Sequence, residues 1–435
     1  MEFILPLAYF SLFVFIFFRS GYFNVPGISK KEVIALYSLK VFAGFTLWGI
    51  YIFYYKNRAT ADIFKYYDDS EILYNALFSH PSDYFKMLFG IHNNTAHFAM
   101  YYDQMFNWHR KMESNLYNES HIIIRFNAFL RIFSLGIYPI HILVMCFMST
   151  SGLIGIYKFF YAGFTDKPKM LLLCLFITPS VLLWTSGIIK EAFIISFLGI
   201  LLYYLDNCLQ KRKEIRSLII VILSLLVLIS IKVYVMVAFI PAMIAYIWAY
   251  TDSKKKIFLK YFIVIIGFII AGVFVKIIFP DYDPLEVIRI KQADFIALSA
   301  GAASRINLNE IDPNFGSLLH NAPYALYNTC FRPLNLHDSL LISIASLENW
   351  VILLFVSVCI YFHRSLSEIN WNILLMAFLF TVILYLLIGW ITPVVGAIVR
   401  YKVPALPFLL LAFLHILDFE KVKTKLYSIK KQYGL

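Results

Sequence analysis

Apolar residues run in long, nearly unbroken stretches along this chain, and the polar residues gather between them. The stretches fall at 3–19, 34–54, 137–163, 170–186, 192–207, 217–232, 234–250, 257–279, 339–362, 372–390 and about 399–417. Each is close to the roughly 20 residues a helix needs to cross the hydrocarbon of a bilayer. In that medium the backbone must satisfy its own hydrogen bonds, which a helix does within one segment. The pattern therefore predicts an all-α, polytopic bundle of about eleven transmembrane helices, forming one integral membrane domain over 1–435.

Two segments break the apolar rhythm, 55–135 and 280–338. The first is polar and aromatic. Its stretch from His121 to Ser134 is amphipathic, with Arg125 and Arg131 among apolar residues, and is expected to lie along the membrane interface. The second is rich in Asp, Asn and Pro. No internal repeat is visible, which weighs against folds built from repeated halves.

Charge sets the orientation. Lysines and arginines crowd into alternate gaps: Arg19, Lys30 and Lys31; Lys167 and Lys169; Lys211, Arg212, Lys213 and Arg216; Lys254 to Lys256; Arg364; and the tail from Lys421 to Lys431. The positive-inside rule assigns these gaps to the cytoplasm. The N-terminus is then expected outside, the C-terminus inside, and both long loops on the extracytoplasmic face. The net charge of +12 is absorbed by this topology, so it is no sign of nucleic-acid binding. The first 18 residues have no basic n-region and no small-residue cleavage site, so they are expected to be a helix that stays rather than a signal peptide. The five cysteines form no CxxC pair, and four lie in or beside apolar runs, as small core residues do.

Candidate chemistry falls into three groups near the expected outer ends of helices. The first is acidic: Asp62, Asp68, Asp69 and Glu71. Adjacent carboxylates repel, which raises a pKa or recruits a divalent cation. The second is basic: Lys190 beside Glu191, Lys232 near Tyr234, Arg400 and Lys402. Arginine grips phosphate oxygens with two donors and lysine offers a point charge. The third follows the second loop: Arg305, His320, Asn328, Arg332, Asn335, His337 and Asp338. No nucleotide-binding motif occurs and no histidine pair has metal-ligand spacing. Tyr66, Tyr67, Tyr101 and Tyr102 are candidates to stack on sugar rings, and Asn93 and Asn118 match the short N-x-[ST] pattern.

The order of these features is familiar. An acidic motif opens the first loop (Asp62 to Asp69), and a Trp-x-Ser-Gly-x-x-Lys-Glu turn follows (Trp184 to Glu191). Then come a Lys-x-Tyr turn (Lys232, Tyr234), a Phe-Arg-Pro step (Phe331 to Pro333) and an Arg-Tyr-Lys-x-Pro-x-x-Pro turn (Arg400 to Pro407). The set resembles the GT-C superfamily of polytopic glycosyltransferases, in particular bacterial members that use polyprenyl-phosphate sugars and are related to surface-polysaccharide polymerases. The resemblance implies a glycosyltransferase of the bacterial inner membrane that acts on its extracytoplasmic face. An undecaprenyl-phosphate-type sugar would be the donor and a glycan or glycolipid the acceptor.

Under it, Asp62, Asp68 or Asp69 is the catalytic base. Lys232, Arg400 and Lys402 bind the donor phosphate, supported by Lys190; Glu191, Tyr234, Arg332 and His337 complete the candidate substrate-binding set. No cofactor is implied beyond a possible divalent cation. The chain departs from the pattern twice. Its acidic motif follows the second helix instead of the first, and Lys-Val-Tyr stands where relatives carry Arg-Pro-Tyr. Two rival readings are a repeat-unit polymerase or ligase and a transporter of lipid-linked oligosaccharides.

Overall fold

The structure, a computed structural model, describes residues 2–53, 58, 61–109, 118–212, 214–252, 256–336 and 339–433. It is 79% helix with no strands among the described residues. Eight helices are long and apolar enough to cross a membrane, or nine if the bent pair Val395–Tyr401 and Leu406–Ile416 forms one span. The chain is therefore a multi-pass, all-helical membrane protein.

Three expected spans come out differently. Ile4–Arg19 has 16 residues, about 24 Å at a helical rise of about 1.5 Å per residue, short of the roughly 30 Å hydrocarbon. The stretch expected over 170–186 is two short helices, Pro168–Phe176 and Pro179–Trp184. Pro179 lacks an N–H and disfavours helical backbone at the residue before it. The last stretch is likewise broken, with a 64° bend between Val395–Tyr401 and Leu406–Ile416. Pro404 lies in that break and Pro407 near the start of the second piece.

The chain divides into two compact units, residues 1–159 with 182–233, and residues 160–181 with 234–435. In the first, the segment expected as a polar loop holds helices of its own: Asp62–Ser79, Pro81–Phe89 and Ser120–Ser134. Pro81 sits in the first turn of its helix and Gly90 closes it at φ 72°, a left-handed position that suits glycine. Ser120–Ser134 is amphipathic as expected, but its buried stripe of Ile123, Ile124, Asn127, Ala128 and Arg131 packs within the protein. Arg131 Nε donates to Ser70 Oγ at 2.9 Å and Nη2 to the Tyr67 carbonyl at 3.0 Å, which ties this helix to Asp62–Ser79.

Tyr138–Phe160 and Lys190–Leu209 approach so closely that a Cβ on Gly199 would lie 1.7 Å from the Gly152 carbonyl oxygen. Small residues permit such contact between membrane helices.

In the second unit, Phe315–Phe331 and Trp371–Ile391 meet the same way, with Gly389 against the Ala325 backbone. Phe239, Phe380 and Phe408 form an aromatic core, with ring centroids 4.9 to 6.4 Å apart. The segment 280–338 is also helical, over Pro284–Leu298 and Phe315–Phe331, each started by a capping side chain, Asp283 and Asn314. Ile257–Ile278 buries only 6% of its apolar window, as a lipid-facing helix does.

Candidate functional site

In the first unit, the acidic motif lies on Asp62–Ser79, and its carboxylates diverge. Successive helical residues point about 100° apart. Asp68 pairs with Arg58, accepting from Nε at 2.8 Å and Nη2 at 2.7 Å, and stays partly exposed. Asp69 is buried and accepts from the backbone N–H groups of Phe106 and Asn107 at 3.0 and 2.9 Å, and from Asn107 Nδ2 at 3.0 Å. Burial pushes its carboxyl above the ordinary carboxylate range, against those donors, which pull it down; the Asp68 charge adds to the rise. Glu71 meets Arg131 at 3.3 Å. Asp62 begins the helix, and its side chain lies outside the described residues.

Asp69 thus organises the 105–109 segment. Asp69→Ala leaves two backbone N–H groups without their acceptor, at about 1–3 kcal/mol. The expected result is faster protease cleavage between Asp103 and His109, with the membrane helices still protected. Unchanged cleavage would refute that role.

Lys190 and Glu191 are the first two residues of Lys190–Leu209. Lys232 follows Glu214–Ile231, the other arm of the same helical hairpin, so all three sit at one end of it. Lys232 Nζ donates to Glu191 Oε1 at 3.0 Å, and Lys190 Nζ to Glu119 Oε2 at 3.1 Å. All four side chains are nearly inaccessible. Lys190 also lies 5.6 Å over the Tyr66 ring of the acidic motif, a cation–π arrangement. Three of the motifs therefore meet in the first unit. Nearby, Lys40 is fully buried in Lys30–Phe53 and donates to Thr185 Oγ1 at 2.5 Å.

The other two motifs meet in the second unit. The Asn349 amide joins them: its Nδ2 donates to the Pro333 carbonyl at 2.9 Å, and its Oδ1 accepts from Lys402 Nζ at 2.8 Å. Arg332 precedes Pro333 through a cis peptide bond and lies 5.5 Å over the Tyr327 ring. Arg400 is buried on Val395–Tyr401, and Tyr234 is half-buried. His337 and Asp338 lie outside the described residues. Lys190 and Lys232 thus belong to the first unit, Arg400 and Lys402 to the second.

Several expectations change on burial. Tyr66, Tyr67, Tyr101 and Tyr102 are buried, as are Asn93 and Asn118. Their rings serve packing: Tyr102 stacks on Trp108 at 4.1 Å, and Trp108 on His121 at 3.8 Å. Asp83 is held below the ordinary carboxylate range by its hydrogen bond with His97. Among the described residues no group of three His, Cys, Asp or Glu side chains is gathered as a metal would require.

Sequence reasoning passed over Glu348, which lies within the membrane-spanning helix Leu340–Tyr361 and is buried. A carboxylate inside an apolar run is itself the signal that would have found it. Glu119 offers no such signal, because only folding brings it to Lys190.

Fold and site together define a polytopic membrane protein with buried ion pairs at helix ends. The chain matches no family model, and no curated protein and no solved structure matches it.

Proposed function

We propose that this protein is a membrane glycosyltransferase of the bacterial inner membrane. It moves a sugar from a polyprenyl-phosphate donor to a glycan or glycolipid acceptor on the extracytoplasmic face. One observation carries the reading: the five short motifs, scattered from residue 62 to residue 407, pair up side by side within the two units. Tyr66 meets Lys190 and Glu191 meets Lys232. Pro333 and Lys402 meet at Asn349.

In the first unit the buried carboxylates fix the ammonium groups before substrate arrives, which is the condition for electrostatic stabilisation of a leaving phosphate. Of the two motif carboxylates whose side chains are described, Asp69 is buried and Asp68 is partly exposed, so Asp68 takes the role of base. The acceptor oxygen bonds to the anomeric carbon and its proton passes to Asp68. The bond from that carbon to the phosphate oxygen breaks, and its electron pair leaves with the polyprenyl phosphate. Lys190 and Lys232 compensate the charge that develops there.

The test is sugar transfer by the full chain in proteoliposomes loaded with an undecaprenyl-phosphate monosaccharide. Asp68→Asn is expected to lower turnover by at least about 100-fold, the usual scale of general-base loss. Full turnover in this variant overturns the assignment. In cells, loss of the protein should make the monophosphate-linked monosaccharide accumulate. Accumulation of a diphosphate-linked repeat unit instead selects the polymerase reading.

A further inference from the structure

The second unit contains a buried polar cluster inside its membrane helices that the transfer chemistry above does not use. Its centre is Glu348 on Leu340–Tyr361. The Ser180 backbone N–H donates to both of its carboxylate oxygens, at 3.2 and 3.1 Å, and the Ser180 hydroxyl donates to Oε2. Ser180 follows the break at Pro179, and Lys402 lies in the break between Val395–Tyr401 and Leu406–Ile416. Two interrupted helices thus reach the Glu348–Asn349 step, Lys402 through its hydrogen bond to Asn349. Lys402 and Tyr385 also lie within electrostatic reach of Glu348. Interrupted membrane helices commonly frame ligand sites, because they bring backbone and side-chain polar groups to membrane depth.

Among the described residues of this unit, several buried side chains carry atoms with no hydrogen-bond partner, Asn328, Tyr385, Trp390 and Thr392 among them. Asn328 is fully buried, and neither atom of its amide has a hydrogen-bond partner; the Tyr385 hydroxyl has none either. Helical spacing from the contact between Gly389 and Ala325 sets Asn328 and Tyr385 at a similar level along their helices. Gly389 packs on Ala325; Tyr385 lies one turn before Gly389, and Asn328 one turn beyond Ala325. Tyr385 also lies within reach of Cys330, which places that end of Phe315–Phe331 beside it. A buried polar atom without a partner costs about 1–3 kcal/mol, so groups retained in this state call for a reason.

The geometry points to a saccharide site in the second unit, built by Glu348, Lys402, Asn349, Asn328 and Tyr385. The chemistry selects a neutral, hydroxyl-rich ligand. Glu348 and Lys402 balance each other in charge, and the groups left without partners, the Asn328 amide and the Tyr385 hydroxyl, are neutral donors and acceptors. Lys402 in turn repels a metal cation. A sugar hydroxyl both donates and accepts, so it satisfies an amide, a phenol and a carboxylate together. The inference deepens the glycosyl-transfer reading, on which it rests for the identity of the ligand as substrate.

The experiment compares binding of three probes to the full chain in nanodiscs by native mass spectrometry: undecaprenyl phosphate bearing one sugar, bare undecaprenyl phosphate, and a methyl glycoside. The wild-type protein should prefer the sugar-bearing lipid over the bare lipid by about tenfold, the scale of one or two hydrogen bonds. Asn328→Leu and Tyr385→Phe should lose that preference. Asn328→Leu should not lower the melting temperature, because it removes two unsatisfied atoms and keeps the branched shape. Competition by the methyl glycoside would identify a free saccharide as the ligand, and its absence a lipid-linked one; either keeps the proposal.

No sugar preference in the wild type overturns it, as does full preference or a lowered melting temperature in Asn328→Leu. A protein that prefers the sugar-bearing lipid but transfers nothing keeps this site and loses the transfer reading. Normal turnover without sugar preference does the reverse.

Discussion

Lys232→Gln is expected to destabilise the protein by about 3–5 kcal/mol, because it removes the cation hydrogen-bonded to the buried Glu191 carboxylate. The pair is closed off on both sides, with Lys232 6% and Glu191 0% exposed at the side chain. The double variant Glu191→Gln with Lys232→Gln removes both charges and keeps shape and hydrogen-bonding capacity. It should recover most of the lost stability, since replacing a whole buried ion pair is often close to neutral. Its turnover should stay low, because the cation assigned to the leaving phosphate is gone. Thermal unfolding in detergent, read beside the transfer assay, separates the two effects. A single variant as stable as wild type would mean that water or another cation satisfies Glu191. A double variant with full turnover would remove Lys232 from the mechanism.

The second large effect is expected at Gly199. A valine there places its Cβ against the Gly152 carbonyl oxygen, 1.7 Å away, and against further Gly152 backbone atoms within 2.6 Å. Backbone cannot swing aside as a flexible side chain can, so Tyr138–Phe160 and Lys190–Leu209 must separate. The cost should exceed about 3 kcal/mol, the upper end of ordinary overpacking. Lys190 and Glu191 start one of these helices, so separation also misplaces the ion pairs. Gly267→Val is the matched control: nothing lies within 4 Å of its Cβ, on the lipid-facing helix Ile257–Ile278. The monodisperse, folded fraction after extraction should collapse for Gly199→Val and hold for Gly267→Val. Equal fractions would show that the two helices tolerate separation.

Much of the fold is legible in the chain because membrane spans are written locally. A run such as Ile257–Ile278 states its length and its solvent in one window. The breaks at Pro179 and Pro404 are also local, and a closer reading of proline within the apolar stretches at 170–186 and 399–417 would have placed them. The helices inside 55–135 are harder to see, because their apolar faces are short and their polar residues suggest a loop. Ser120–Ser134 shows the ambiguity. Its amphipathic stripe reads the same whether it meets lipid or protein, and only the packing of Arg131 against Ser70 and the Tyr67 carbonyl distinguishes the two.

The candidate site divides along the same line. Sequence alone determined that this is a many-helix membrane protein, that its charges gather at helix ends, and that five short motifs carry its candidate chemistry. It determined these because hydrophobic length and charge bias act residue by residue. Only the tertiary structure decided which charges meet. Glu191 finds Lys232 across 41 residues and Lys190 finds Glu119 across 71. Asp69 turns away from its acidic neighbours to hold a backbone segment, and Asn349 joins two motifs through one amide. The physical reason is that a buried charge takes whichever partner the packing of apolar helix faces delivers, and that packing is a property of the whole bundle.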